Sequence, residues 1–148
     1  DEKVPEVNPE QAGFSRTEDW KGAEGLRELV RVVDTSYEAS RCDKALAAIW
    51  KNLDEANKYI EDTQPFKLVK EDEAAVAEIL YCLLESCRIY GWLVDPVLPD
   101  TSKKIFSALG LDAEKGLETS WKEGVLWGGL QPGSALPKPE PIFPRKDA

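Results

Sequence analysis

The stretch Asp72-Glu-Ala-Ala-Val-Ala-Glu-Ile-Leu-Tyr-Cys-Leu-Leu-Glu-Ser-Cys-Arg-Ile-Tyr-Gly-Trp-Leu-Val94 decides the fold. Val76, Ile79, Leu80, Leu83, Leu84, Cys87 and Tyr90 recur at steps of three and four, which is helical periodicity. The spacing predicts a helix from Asp72 to Val94, closed by Asp95-Pro96. Its apolar face is wide, so it belongs between more than one neighbour. Glu85 and Arg88 break the most apolar part, Ile79 to Val94, and no run reaches the ~18 apolar residues of a membrane span.

Two further helices precede it. Leu26, Leu29, Val30, Val33 and Tyr37 make one apolar stripe over residues 23 to 38. Ser40-Arg-Cys-Asp43 then has capping-box spacing. The next helix is expected from Asp43 to Asp62, with Leu46, Ile49, Leu53, Ala56 and Ile60 inside and Asp54, Asn57, Lys58 and Glu61 outside. Gln64-Pro65 stops it. Pro99 opens a fourth, shorter helix with Ile105, Phe106 and Leu109 as contacts and Gly110 at its end. A short helix over 113–119 and a turn or strand over 124–129 complete the reading.

The expected fold is all-α: an antiparallel bundle of three long helices and one shorter one, over residues 23–111. Residues 1–22 read as an extended acidic arm with turn signals at Val4-Pro5, Asn8-Pro9 and Ala12-Gly13. Residues 112–148 read as short elements and a proline-rich arm packed on the bundle, with five of the ten prolines after residue 130.

Composition narrows the chemistry. The chain has 148 residues, 42% of them apolar, and a net charge of −9. It has no histidine, which removes Ser-His and Cys-His pairs and histidine metal ligands. Three cysteines give no paired disulfide framework. Cys82 and Cys87 point about 140° apart on one helix, so apolar packing is expected rather than a metal site. Trp50 borders the inner stripe and is expected to pack. Asp54 and Glu61 share a face and could in principle do acid–base work, but such pairs without a cleft or partner are usually a solvated surface. Gly128, Gly129 and Gly133 lack the lysine of a phosphate loop. No arginine-rich patch supplies a phosphate-binding term. No catalytic residue, metal or cofactor emerges from these residues. The missing methionine is expected to mean an excised piece or a removed leader.

An ordered set of motifs carries a resemblance. Ala56-Asn57-Lys58-Tyr59-Ile60 is followed by Gln64-Pro65-Phe66-Lys67-Leu68, then by Leu98-Pro99-Asp100-Thr101 with Leu109-Gly110-Leu111. Trp127-Gly128-Gly129-Leu130-Gln131-Pro132-Gly133 and Lys138-Pro139-Glu140-Pro141-Ile142-Phe143-Pro144-Arg145 end the series. In this order the chain resembles the C-terminal anticodon-binding domain of methionyl-tRNA synthetase, over residues 25 to 145.

The resemblance implies a class I helical bundle that recognises the CAU anticodon of the methionine tRNA. It implies that Phe66, after the helix-ending Pro65, stacks on an anticodon base, where the family usually has tryptophan. It implies that Asp54, Asn57, Lys58 and Glu61 help select the anticodon. The family's first bundle helix, with its asparagine and arginine, has no match in residues 1–22, and the catalytic domain with its HIGH and KMSKS signatures has none either. The face left by that helix would be covered by the parent's catalytic domain or another protein. The chain alone is therefore expected to be a non-catalytic recognition module, in the cytoplasm or, after leader removal, in an organelle. The alternative is a free-standing descendant reused as a structural or interaction subunit of a larger complex.

Overall fold

The computed structural model describes residues 3–14, 16–111 and 120–137. Within these residues the chain forms α1 (Pro9–Ala12), α2 (Gly22–Glu38), α3 (Cys42–Thr63), α4 (Pro65–Leu68), α5 (Glu73–Val94), α6 (Pro99–Ala108) and α7 (Trp121–Gly124). No described helix is long and apolar enough to cross a membrane. The helix expected over 113–119 and the motif at 138–145 lie outside the described residues.

Helix ends follow local chemistry. The Asp72 carboxylate caps α5 by accepting from Ala75 N at 3.0 Å. Gln64 takes a left-handed conformation (φ 46°), which ends α3 and lets Pro65 open α4. Ser40 does not cap α3 as its spacing suggests. Its backbone is left-handed (φ 57°) and closes α2, with Arg41 N donating to Ser36 O at 2.8 Å. Asp43 instead accepts two bonds from Arg41, at 3.0 and 2.9 Å. Those bonds hold the Asp43 carboxyl down to about 2.

The main core joins Leu26, Leu29 and Val33 of α2 to Ala45 and Ile49 of α3 and Ile89, Leu93 and Phe106 of α5 and α6. α5 is the central element, buried on nearly every side along its second half. The phase of α3 differs from the periodic reading. Ala45, Ile49, Asn52, Ala56 and Tyr59 are buried, whereas Leu46, Leu53 and Ile60 are only half-buried. The cause is Trp20, which comes from the N-terminal arm and lies on this side of α3. Its indole packs tilted against the Tyr59 ring, with ring centres 4.8 Å apart, and donates to Asn52 Oδ1 at 3.1 Å. Asn52 Oδ1 also accepts from Tyr90 OH, so one buried amide joins the arm, α3 and α5.

Both arms contribute to the core. Val4 and Ala12 pack with Tyr81 of α5, Leu109 after α6 and Leu130. Val4 exchanges backbone bonds with Ser134 and Gly133, both 2.8 Å. Residues 124–130 are a helix end and turn, held by a buried ion pair. Glu85 Oε1 accepts from Gly128 N and Gly129 N at 2.8 and 3.0 Å, and Oε2 accepts from Leu130 N at 3.0 Å. Arg88 pairs with Glu85 at 2.6 Å and donates to the carbonyls of Gly124 and Leu126. Gly110 (φ 76°) meets this layer edge-on, where a Cβ would come 2.6 Å from Ala135 O.

Candidate nucleic-acid interface

The four α3 positions singled out above occupy one exposed stripe. Asp54, Asn57, Lys58 and Glu61 are related by i, i+3, i+4 and i+7, and none is buried. α4 follows directly. Pro65 is buried and anchors this one-turn helix, while the next side chain, Phe66, is 85% exposed. The left-handed Gln64 makes that reversal possible. The structure therefore places an outward-facing aromatic just past the end of a polar helical stripe.

Among the described residues, Lys58 is the stripe position that has a charged partner. Its Nζ lies 2.7 Å from Asp19 Oδ2, with the side chains 56% and 60% exposed. The Asp19 hydrogen bond holds the Lys58 ammonium above its ordinary range. Asp19 lies 39 residues away in sequence, so helical periodicity gave no signal for it. Its loop is fixed on both sides, by buried Trp20 and by the Arg16–Glu78 pair at 2.8 Å.

Trp50 differs from expectation. It is 44% exposed and lines an apolar groove with Ile49, Leu53, Leu84, Tyr90 and Ile105. The groove runs between α3, α5 and α6 and encloses about 380 Å³. Nothing in the described chain covers it, which leaves Leu53 and Leu84 half-buried although their periodicity is that of core residues. Cys82 is fully buried and Cys87 half-buried, and burial pushes their thiols up to about 12 and about 11. Among the described residues no three acids or cysteines converge as a metal site.

A family described as the anticodon binding domain of methionyl tRNA ligase matches residues 9–147. The methionine–tRNA ligase of Caldanaerobacter subterraneus is 36% identical over 121 residues, covering 80% of this chain and 18% of that protein. That of Mycobacterium leprae is 36% identical over 127 residues, covering 83% of this chain and 22% of that protein. The crystal structure of apo methionyl-tRNA synthetase from Mycobacterium tuberculosis superposes with a TM-score of 0.79 at 30% identity, over 99% of this chain and 28% of that one. The chain thus spans about a fifth of the length of these curated relatives. The helical order, the motif series and the match across nearly the whole chain agree: the chain belongs to the anticodon-binding domain family of methionyl-tRNA ligases.

Proposed function

We propose that this chain is the anticodon-recognition module of a methionyl-tRNA synthetase, with the α3 stripe and Phe66 receiving the anticodon loop of the methionine tRNA. The observation that carries the reading is the Phe66 ring, held out into solvent by buried Pro65. Such a ring adds little to folding but offers a flat stacking surface, worth about 1–3 kcal/mol per base. Asp54 and Glu61, ionised, only accept hydrogen bonds, so they suit the exocyclic amino groups of cytosine and adenine. Asn57 offers both a donor and an acceptor. The exposed lysines nearby, Lys51, Lys67 and Lys70, can meet only the sequence-independent backbone phosphates, so stacking and base-edge contacts supply the selectivity.

Residues 23–111 are the recognition body in this proposal, flanked by the arms 1–22 and 112–148. Methionine activation belongs to the rest of a parent synthetase, which would also cover the groove beside Trp50. The parent works in the cytoplasm or in the interior of an organelle. The uncovered groove also favours a second reading, a descendant reused as an interaction subunit. RNA binding separates the two. The parent or the chain is titrated with hairpins carrying CAU or an altered anticodon. Anticodon recognition predicts tighter binding of CAU and a loss of about 5- to 100-fold for Phe66→Ala. Equal binding of all hairpins, unchanged in Phe66→Ala, rejects it.

A further inference from the structure

We infer that Asp19 is a specificity-determining residue of this face: it occupies the one cation of the α3 stripe, Lys58, and withholds it from RNA phosphate. The inference rests on the proposal that α3 meets RNA, and it adds a residue from outside the stripe.

Three observations carry it. The first is the contact itself, Lys58 Nζ to Asp19 Oδ2 at 2.7 Å. The second is how Asp19 is delivered. An exposed ion pair is usually worth about 0–1 kcal/mol, partly because two free side chains must be ordered. Here the backbone is already pinned. Trp20 is fully buried and bonded to Asn52, and Arg16 is tied to Glu78 through its guanidinium and to Tyr59 OH through its backbone N–H. Asp19 therefore stands beside Lys58 at little further ordering cost. The third is the surrounding charge. Asp54, Glu55, Glu61 and Asp62 lie within one turn of Lys58 on α3, with Lys51 the nearest other base on that helix. A phosphate reaching Lys58 must displace Asp19 and enter a field of carboxylates.

The consequence is selectivity. Backbone phosphates are the same in every RNA, so a free lysine would strengthen all complexes alike. With Lys58 occupied, a larger share of the affinity of this face comes from stacking on Phe66 and from base edges at Asp54, Asn57 and Glu61, although Lys51 and Lys67 remain exposed beside them. This is discrimination by removal of a non-specific contact.

The test uses the wild-type chain, Asp19→Asn, Lys58→Ala and the double variant. The probes are single-stranded oligouridylate and the CAU hairpin, titrated over a range of salt. Thermal unfolding confirms that each variant is folded. Asp19→Asn should bind oligouridylate about two- to fivefold more tightly at low salt. Its log–log salt slope should steepen by about 0.7, one added phosphate contact on a single strand. The CAU hairpin should gain less, and the double variant should return to wild-type affinity. Unchanged or weaker oligouridylate binding by Asp19→Asn overturns the inference, including no binding at the lowest salt. A gain that persists in the double variant also overturns it, because Lys58 is then not the residue released. Absence of hairpin discrimination in the wild type, with the oligouridylate gain intact, rejects the anticodon reading and leaves Asp19 as a screen that keeps phosphate from Lys58.

Discussion

Two of the ion pairs in this molecule are of almost equal length, and they differ in everything else. Arg88–Glu85 spans 2.6 Å with side chains 6% and 0% exposed, and Lys58–Asp19 spans 2.7 Å with side chains more than half exposed. The first is inside the protein. All its acceptor capacity is used on Arg88 and three backbone N–H groups of residues 128–130. The second stands in water at the edge of the proposed RNA face. Distance alone therefore says little about what an ion pair contributes. A buried pair is costly to break, because the survivor is left charged and desolvated, whereas an exposed one is exchanged for water or for another ligand. The interior pair suits a fixed joint between α5 and the C-terminal turn, and the exterior pair suits a surface guard that keeps Lys58 occupied at the edge of the RNA face.

The comparison breaks first at Glu85. Glu85→Ala strands Arg88 and three backbone donors, and should cost about 3–5 kcal/mol. The melting temperature should fall by about 10 °C or more, read by circular dichroism. A loss under about 1 kcal/mol would mean that the clamp is not what holds the turn. Next is Asn52→Ala, which removes the shared acceptor of Trp20 and Tyr90. Urea unfolding should show a loss of about 1–3 kcal/mol.

Thiol labelling sharpens the contrast between inside and outside. At pH 8 the exposed Cys42 should react in the folded protein. Cys82, whose thiol burial pushes up to about 12, stays protonated and should react only on unfolding. Rapid labelling of Cys82 without denaturant would show that α5 opens locally. At the small end, Asp19→Asn should change folding stability by less than about 1 kcal/mol, and Phe66→Ala by no more than about 0.5 kcal/mol. A larger loss from Phe66→Ala would mean that the ring packs rather than waits for a ligand.

What the sequence could reveal follows the same division. Local signals were readable: the expected ends of the three long helices lie within one residue of those observed, because Gln64-Pro65, the Asp72 side-chain cap and Asp95-Pro96 act on backbone within a turn of themselves. The exposure of Asp54, Asn57, Lys58 and Glu61 was readable from the phase of one helix. Non-local pairing was not. Asn52 is buried because Trp20, 32 residues earlier, donates to it, and Tyr81 because its hydroxyl reaches Leu130, 49 residues later. Glu85 and Arg88 looked like an interruption in an apolar helix, since their backbone partners lie about forty residues on. Trp50 read as a packing residue, and its neighbours suit one, but no described element covers that groove. Asp19 had no periodic relation to the stripe at all.

The most direct test of the central claim is a resonance-by-resonance map of RNA contact. The isotope-labelled chain is titrated with the CAU hairpin, and backbone and aromatic shifts are followed. The account predicts the largest changes at Phe66 and along Asp54, Asn57, Lys58 and Glu61, with Glu85 and the 128–130 turn unmoved. Largest changes at the groove around Trp50, or anywhere away from α3 and α4, would contradict it.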